Sequence, residues 1–298
     1  MISENSKLFF IINKYSGTGF NPELESLVRR ACEDHHVTCE LAYTQGRGHA
    51  TELATHAMAD GFEYIIAIGG DGTVNEVAQA MIHAPAAMGI IPKGSGNGLA
   101  RHLGIPMRFE SAVKHFFENK IVAIDTFRLN GKLSLNVSGI GFDGFVAERF
   151  GTKHGRGFQG YARLVLNEFP RFEEFEADII TAQGSRKEKA IVIAIANSSQ
   201  YGNNVRIAPS ASVHDQLADI SILRKFPAYR LDLVYSFFAG TINNSACCET
   251  MRVSNAAINL DREMPYHVDG EPAGKSSEFR LEMLPSSLNM LAPCFGKF

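Results

Sequence analysis

Two glycine-rich stretches of this sequence carry residue types suited to holding phosphates. The first is Ile65-Ile66-Ala67-Ile68-Gly69-Gly70-Asp71-Gly72-Thr73-Val74-Asn75-Glu76. Its apolar run reads as a strand buried on both faces. Three of the next four positions are glycine, and Val74, Val77, Ala78, Met81 and Ile82 then recur at one-face helical spacing. A glycine turn between strand and helix lets a ligand approach bare backbone and points free amides outward. Asp71 is the odd residue. A carboxylate beside phosphates repels them unless a cation stands between, so Asp71 points to Mg2+. Thr73-Val74-Asn75-Glu76 fits a capping box, with Thr73 as N-cap and Glu76 at the third helical position. The second stretch, Lys93-Gly94-Ser95-Gly96-Asn97-Gly98-Leu99-Ala100-Arg101, follows Pro92 and opens another helix. Neither is a Walker A loop or GxGxxG, and protein-kinase signatures are absent. A plain βα turn without a ligand is the alternative for each.

The elements around these loops alternate. Leu8 to Ile12 reads as a strand ending at Asn13-Lys14-Tyr15-Ser16-Gly17-Thr18-Gly19. Asn21 and Pro22 open a helix whose inner face is Leu24, Leu27, Val28, Ala31 and Cys32. Val37 to Tyr43 is a strand ending at Thr44, Gly46-Arg47-Gly48-His49 leads into a helix over about 50–59, and Ala87 to Ile91 is a further strand. Such alternation implies a parallel sheet with ligand loops at the strand C-terminal ends. Asn13, Thr44, Gly69 and Pro92 are then expected along one edge.

The chain has 298 residues, 45% hydrophobic and 20% charged, with net charge −3, an ordinary globular composition that argues against a nucleic-acid binder. No signal peptide is recognisable at the N-terminus, and no apolar run approaches the roughly 20 residues of a membrane helix. Five cysteines, an odd number without metal-like spacing, suit a reducing cytoplasm.

From Ile121 the texture changes to strands, with a boundary near Asp125 and a hairpin signal at Asn130-Gly131. Leu135 to Gly144 leads to a helix over about 144–150, with Asp143 either its cap or a site residue. Arg149 to Arg163 is basic and aromatic, including Lys153, His154, Arg156, Phe158 and Tyr161. It reads as a solvated face or as a surface for anionic lipid headgroups. Short strands are expected at 179–181, 190–196, 218–223, 253–258 and 264–268, with a helix over about 228–238. Asp269-Gly270 fits a two-residue hairpin turn.

Taken in order, Gly69 to Glu76, Pro92 to Asn97, Ile207-Ala208-Pro209-Ser210-Ala211-Ser212 with Asp215, and Val268-Asp269-Gly270-Glu271-Pro272 resemble the diacylglycerol kinase catalytic-domain family. That family includes bacterial soluble lipid kinases, sphingosine kinases and ceramide kinases. The resemblance implies an α/β nucleotide-binding domain over 1–124, like that of NAD kinases and phosphofructokinases, with a tail over about 285–298 returning to it. It implies a β-rich sandwich over 125–284 and a cleft between the two where ATP and lipid meet.

By position, Asn13, Ser16, Gly17, Thr44, Gly70, Asp71, Gly72, Thr73, Asn75, Glu76, Gly94, Ser95 and Asn97 would contact ATP, with Asp71 serving its Mg2+. Asp215, with carbonyls near Ser212 and Leu217, would hold a structural Mg2+. Asp269 and Glu271 would be the catalytic carboxylates, one the base and the other its support, because a phosphoryl acceptor needs a positioned base. Three positions depart from the pattern: Lys14 stands for a proline, Gly98 for an acidic residue and Gln216 for a glycine.

The implied activity is ATP-dependent phosphorylation of a lipid hydroxyl, with diacylglycerol going to phosphatidic acid. The implied setting is the cytoplasm with transient peripheral contact at the membrane surface, and a homodimer is compatible with it. The Gly94-Ser95-Gly96-Asn97 loop, closer to sphingosine and ceramide kinases, keeps a sphingoid base or ceramide open as acceptor. An inert nucleotide- or lipid-binding regulator and a kinase of water-soluble acceptors are the further alternatives.

Overall fold

The computed structural model describes residues 2–17, 22–94, 96–152, 158–227 and 230–293. The chain divides into two compact units, Met1–Asp125 with Pro285–Phe298, and Thr126–Leu284. Among the described residues no helix is long and apolar enough to cross a membrane.

The first unit alternates strand and helix: β1 (Lys7–Ile12), α1 (Pro22–Asp34), β2 (Thr38–Tyr43), α2 (His49–Ala59), β3 (Tyr64–Gly69), α3 (Asp71–Met81), β4 (Ala87–Pro92), α4 (Gly98–His102) and α5 (Phe109–Phe116). The strands lie in the order β4-β3-β1-β2, all parallel, with Ile65 opposite Met88, Leu8 opposite Tyr64 and Leu8 opposite Cys39. Every residue of β3 and β4 is buried, the signature of strands covered on both faces. Phe10, Ile66, Ile68, Phe116 and Leu291 share the core. Leu291 enters from the end of a distant strand, whose Met290 pairs in parallel with Met88. Parallel order aligns the strand C-terminal ends. Bonds beyond the strands extend this alignment: the Asn13 amide donates to the Ile68 carbonyl (3.0 Å), Thr44 to Ile12 (3.0 Å) and Lys93 to Gly69 (2.8 Å).

The chain passes into the second unit within β5 (Lys120–Leu129) and continues through β6 (Lys132–Ser134), β7 (Val137–Gly141), α6 (Phe142–Thr152), α7 (Phe158–Glu168), β8 (Phe175–Thr181), β9 (Gly184–Ala190), β10 (Val192–Ala196), β11 (Ala218–Leu223), α8 (Leu231–Ala239), β12 (Cys248–Val253), β13 (Asn255–Val268) and β14 (Glu271–Ala292). Strands β12-β11-β10-β7-β13 pair antiparallel in that order, and β8 joins β13 with β9 beyond it. Alternate residues of β10 serve opposite faces. Ile193 and Ile195 join one core with Phe127, Phe175 and Phe279; Val192, Ala194 and Ala196 join another with Phe142, Phe169 and Leu233.

Four sequence expectations change. Helix α3 starts at Asp71 with Gly70 as its N-cap and no side-chain cap, so the Thr73–Glu76 capping box does not form. Asp143 lies inside the first turn of α6 rather than capping it. The segments expected at 253–258 and 264–268 lie largely within one strand, β13, irregular between Asn259 and Met264. Strand β9, Gly-Ser-Arg-Lys-Glu-Lys-Ala, carries no apolar alternation and was not expected.

Candidate functional site

In the first unit one carboxylate joins the two glycine-rich loops. Asp71 Oδ2 accepts the Asn97 amide at 2.8 Å, and Asp71 Oδ1 accepts the Gly98 amide at 2.9 Å. Asn97 is left-handed at φ 47° and donates its side-chain Nδ2 to the Gly69 carbonyl at 3.2 Å. The loops approach so closely that a Cβ on Gly94 would stand 2.7 Å from the Gly70 Cα, so only glycine fits there. The first amides of α3, at Asp71, Gly72 and Thr73, have no intrahelical acceptor in such a helix, and the dipole favours an anion at that end.

The loop after β1 is fastened to the same place. Asn13 Nδ2 donates to Thr73 Oγ1 at 3.0 Å, and Asn13 Oδ1 accepts the Tyr15 amide at 2.9 Å. Ser16 Oγ donates to the Asn13 carbonyl at 3.0 Å. Lys93 Nζ donates to the carbonyls of Asn13 (3.3 Å) and Ser16 (3.0 Å), and burial pushes its ammonium below the ordinary lysine value. Gly17 has φ 64°, and a side chain there would run into the Lys93 carbonyl. Lys14, in place of proline, sets its ammonium 3.8 Å from the Tyr43 ring centre.

Asn13, Gly70, Asp71, Thr73, Gly94 and Asn97 are therefore tied into one cluster, with Ser16 and Gly17 held beside it through Lys93. Thr44 is buried at the adjoining strand end. Asn75 and Glu76 also bond outside this cluster. Asn75 Oδ1 accepts Gln79 Nε2 at 2.8 Å. The Glu76 carboxylate accepts the Gly48 (2.9 Å) and Ala50 (3.2 Å) amides, capping the first turn of α2. Ser95 lies outside the described residues. The sequence argument passed over Lys93, whose role is made by carbonyls 80 and 77 positions away.

In the second unit Asp269 and Gly270 form the turn between β13 and β14, with φ 49° and 85° and Val268 opposite Glu271. The Asp269 carboxylate is buried and fully engaged. It accepts Ser134 Oγ (2.7 Å), the Leu135 amide (2.9 Å) and the Asn136 amide (3.0 Å). Glu271, two residues on, is exposed and makes no hydrogen bond or ion pair among the described residues. Below the turn, buried His267 accepts the Gly270 amide on Nδ1 at 3.1 Å. The proton of the neutral ring is thereby assigned to Nε2, which lies 3.8 Å from Asp143 Oδ2. The Tyr201 hydroxyl donates to the same Asp143 oxygen.

Asp71 sets a carboxylate, the ligand type that Mg2+ takes, at the start of α3 between the two loops. Asp215 is different. Its Oδ2 ion-pairs with Arg252 and its Oδ1 accepts the Leu217 amide at 3.1 Å, while Ser212 Oγ accepts the His214 amide at 3.3 Å. Of the group expected from Ser212, Asp215 and Leu217, the Asp215 carboxylate is thus engaged by Arg252 and by the Leu217 amide. Among the described residues no group of three or more His, Cys, Asp or Glu is placed to hold a metal. Gln216 takes φ 63°, a conformation glycine adopts without cost. Nearby, burial pushes the Asp219 carboxyl up to about 6.

A cavity of about 630 Å³ in the second unit is lined by Arg149, Arg171, Arg262, Lys275, Phe145 and Phe172, among others. Arg149 stacks 4.5 Å over the Phe145 ring and pairs with Glu168 at 2.8 Å. Lys153, His154 and Arg156 lie outside the described residues.

Residues 7–129 match the model of the diacylglycerol kinase catalytic domain, and residues 136–292 that of the YegS C-terminal NAD kinase beta sandwich-like domain. The chain is 30% identical over 285 residues to a Yersinia enterocolitica protein named "Probable lipid kinase YegS-like", covering 92% of this chain and 93% of that one. A Klebsiella pneumoniae protein of the same name is 30% identical over 287 residues, covering 93% and 94%. The fold matches a solved Bacillus anthracis structure described as a diacylglycerol kinase, with TM-score 0.75 and 18% identity, covering 99% of this chain and 100% of that one.

Replacing Lys93 with Met removes the ammonium that ties together the part-buried carbonyls of Asn13 and Ser16. ATP affinity measured by calorimetry is expected to fall roughly 10–100-fold, the effect of losing charged hydrogen bonds. Hydrogen exchange at residues 13–17 should accelerate with it.

Proposed function

The chain belongs to the family of YegS-like lipid kinases, and we propose that it transfers the γ-phosphoryl group of ATP to diacylglycerol, giving phosphatidic acid, with Glu271 as the base. The observation that carries this assignment is the contrast within the Asp269–Gly270–Glu271 turn. Asp269 has three donors on its two oxygens and is buried. A carboxylate so occupied is a poor proton acceptor for a bulky substrate, but a rigid post for the turn. Glu271 is exposed and unengaged, as a group awaiting an acceptor hydroxyl must be. Asp269 is thus the positioning residue and Glu271 the catalytic one.

The nucleotide is assigned to the loops that end β1, β2, β3 and β4, with Asn13, Ser16, Gly17, Thr44, Gly70 to Glu76, Gly94, Ser95 and Asn97 around it. Free amides at the start of α3 suit the phosphates. The Asp71 carboxylate is assigned to Mg2+, which when bound neutralises charge on the transferring phosphate. Diacylglycerol is favoured by the catalytic-domain match and by the description of the Bacillus anthracis structure. The Gly94-Ser95-Gly96-Asn97 loop keeps a sphingoid base or ceramide as the second reading.

Contact with a membrane surface from the cytoplasm is supported by α8, which exposes Val234, Tyr235 and Phe238. The cavity beside Phe145 and Phe172, where Arg149, Arg171, Arg262 and Lys275 outnumber Glu148 and Glu173, suits anionic headgroups.

Incubation with labelled ATP, Mg2+ and a lipid panel should give labelled phosphatidic acid. Label appearing only on sphingosine or ceramide transfers the assignment to the second reading, and ATP binding without any labelled lipid points to an inert regulator. Glu271→Gln should lower kcat by roughly 10²–10⁴-fold, the usual span for a general base, without changing ATP affinity or thermal stability. Tyr235→Glu combined with Phe238→Glu should weaken cosedimentation with anionic vesicles, while turnover of a dispersed short-chain acceptor stays unchanged.

A further inference from the structure

Strands β11 and β12 bring a cation of the chain's own to two carboxylates. Asp219 on β11 stands directly opposite Arg252 on β12. Asp219 is fully buried; neither carboxylate oxygen meets a donor in full hydrogen-bond geometry, though the Ser210 side chain stands beside it and favours its charged form. Arg252 Nε lies 4.0 Å from Asp219 Oδ2, and a terminal nitrogen of the same guanidinium ion-pairs with Asp215 Oδ2. That Asp215 oxygen is buried and has no hydrogen bond of its own. The other Asp215 oxygen accepts the Leu217 amide, which fixes the turn that carries it.

Two carboxylates taken out of water at neighbouring points are costly unless a positive charge stands with them. A hard divalent ion would serve, and the resemblance to diacylglycerol kinases leads one to expect such an ion here. A guanidinium serves too, because its rigid fork of five donors can face two acceptors at once. Strand register delivers it without any added ligand. Gln216 at φ 63° keeps the loop's left-handed turn, and the Leu217 amide after it donates to Asp215.

We propose that Arg252 takes the place of a structural divalent cation in the second unit, which makes the stability of that unit independent of metal. The proposal concerns Asp215, Asp219 and Arg252 alone and stands apart from the choice of lipid acceptor or base.

The test is thermal unfolding of the full chain without nucleotide, in EDTA and in Mg2+ or Mn2+. The wild-type midpoint should be the same in both. Arg252→Met should lower the midpoint in EDTA by an amount on the order of 5 °C, since buried Asp219 and half-buried Asp215 lose their partner. Mg2+ or Mn2+ should then restore much of it, with Mn2+ retention seen by electron paramagnetic resonance. Adding Asp215→Asn should abolish the rescue. A wild-type midpoint that falls in EDTA and returns with Mg2+ overturns the proposal, as does an Arg252→Met fall that no divalent cation reverses. If Arg252→Met does not fold in EDTA, Arg252→Lys decides. Its retained charge should keep the midpoint independent of EDTA, and a divalent requirement in that variant overturns the proposal.

Discussion

The two bonds from the Asp71 carboxylate to the amides of Asn97 and Gly98 set the geometry of the first unit's loops. Parallel strands bring their C-terminal ends to one edge, but they do not fix the turns that leave that edge. Asp71 does so by tying the start of α3 to the start of α4, and Asn97 returns a bond to the Gly69 carbonyl. Charge-assisted bonds of this kind are about twice as strong as neutral ones.

The second unit solves a related problem three times with different partners. Asp269 is buried against a hydroxyl and two amides, while half-buried Asp143 meets a tyrosine hydroxyl with a histidine nearby and half-buried Asp215 meets a guanidinium. Each solution has a distinct consequence. Neutral donors leave Asp269 as a fixed post under a tight turn. The Asp143–His267 arrangement reaches the backbone of that same turn through the Gly270 amide. The Arg252 contact neutralises buried charge at strands remote in sequence from the turn.

Local patterns in the sequence were enough for much of this. The apolar run into Gly69-Gly70-Asp71-Gly72 specified strand, turn and helix, and Asn130-Gly131 and Asp269-Gly270 read as hairpin turns because both residues of each pair have positive φ. What escaped reading depends on partners far along the chain. Glu76 looked like the reciprocal half of a cap on its own helix, but its acceptors' donors are Gly48 and Ala50, 28 and 26 positions earlier. Lys93 looked like loop composition, because nothing local announces that its ammonium meets the carbonyls of Asn13 and Ser16. Asp269 and Glu271 are alike as letters; only the burial of one against Ser134, Leu135 and Asn136 separates them. Strand β9 was invisible because its charged residues are carried by pairing with β8 rather than by an apolar face.

Strand β14 ends in the first unit, where Met290 pairs with Met88, Leu291 joins the core and the Ser286 amide donates to Asp125 at 2.7 Å. A ribosome delivers that strand end only after the whole of the second unit has been made. The nascent N-terminal sheet must therefore wait with the flank of β4 uncovered, an apolar edge of the sort that chaperones hold. Folding of the first unit is in this way coupled to translation of the second, and a message cut short before residue 285 would release a protein missing part of its first sheet.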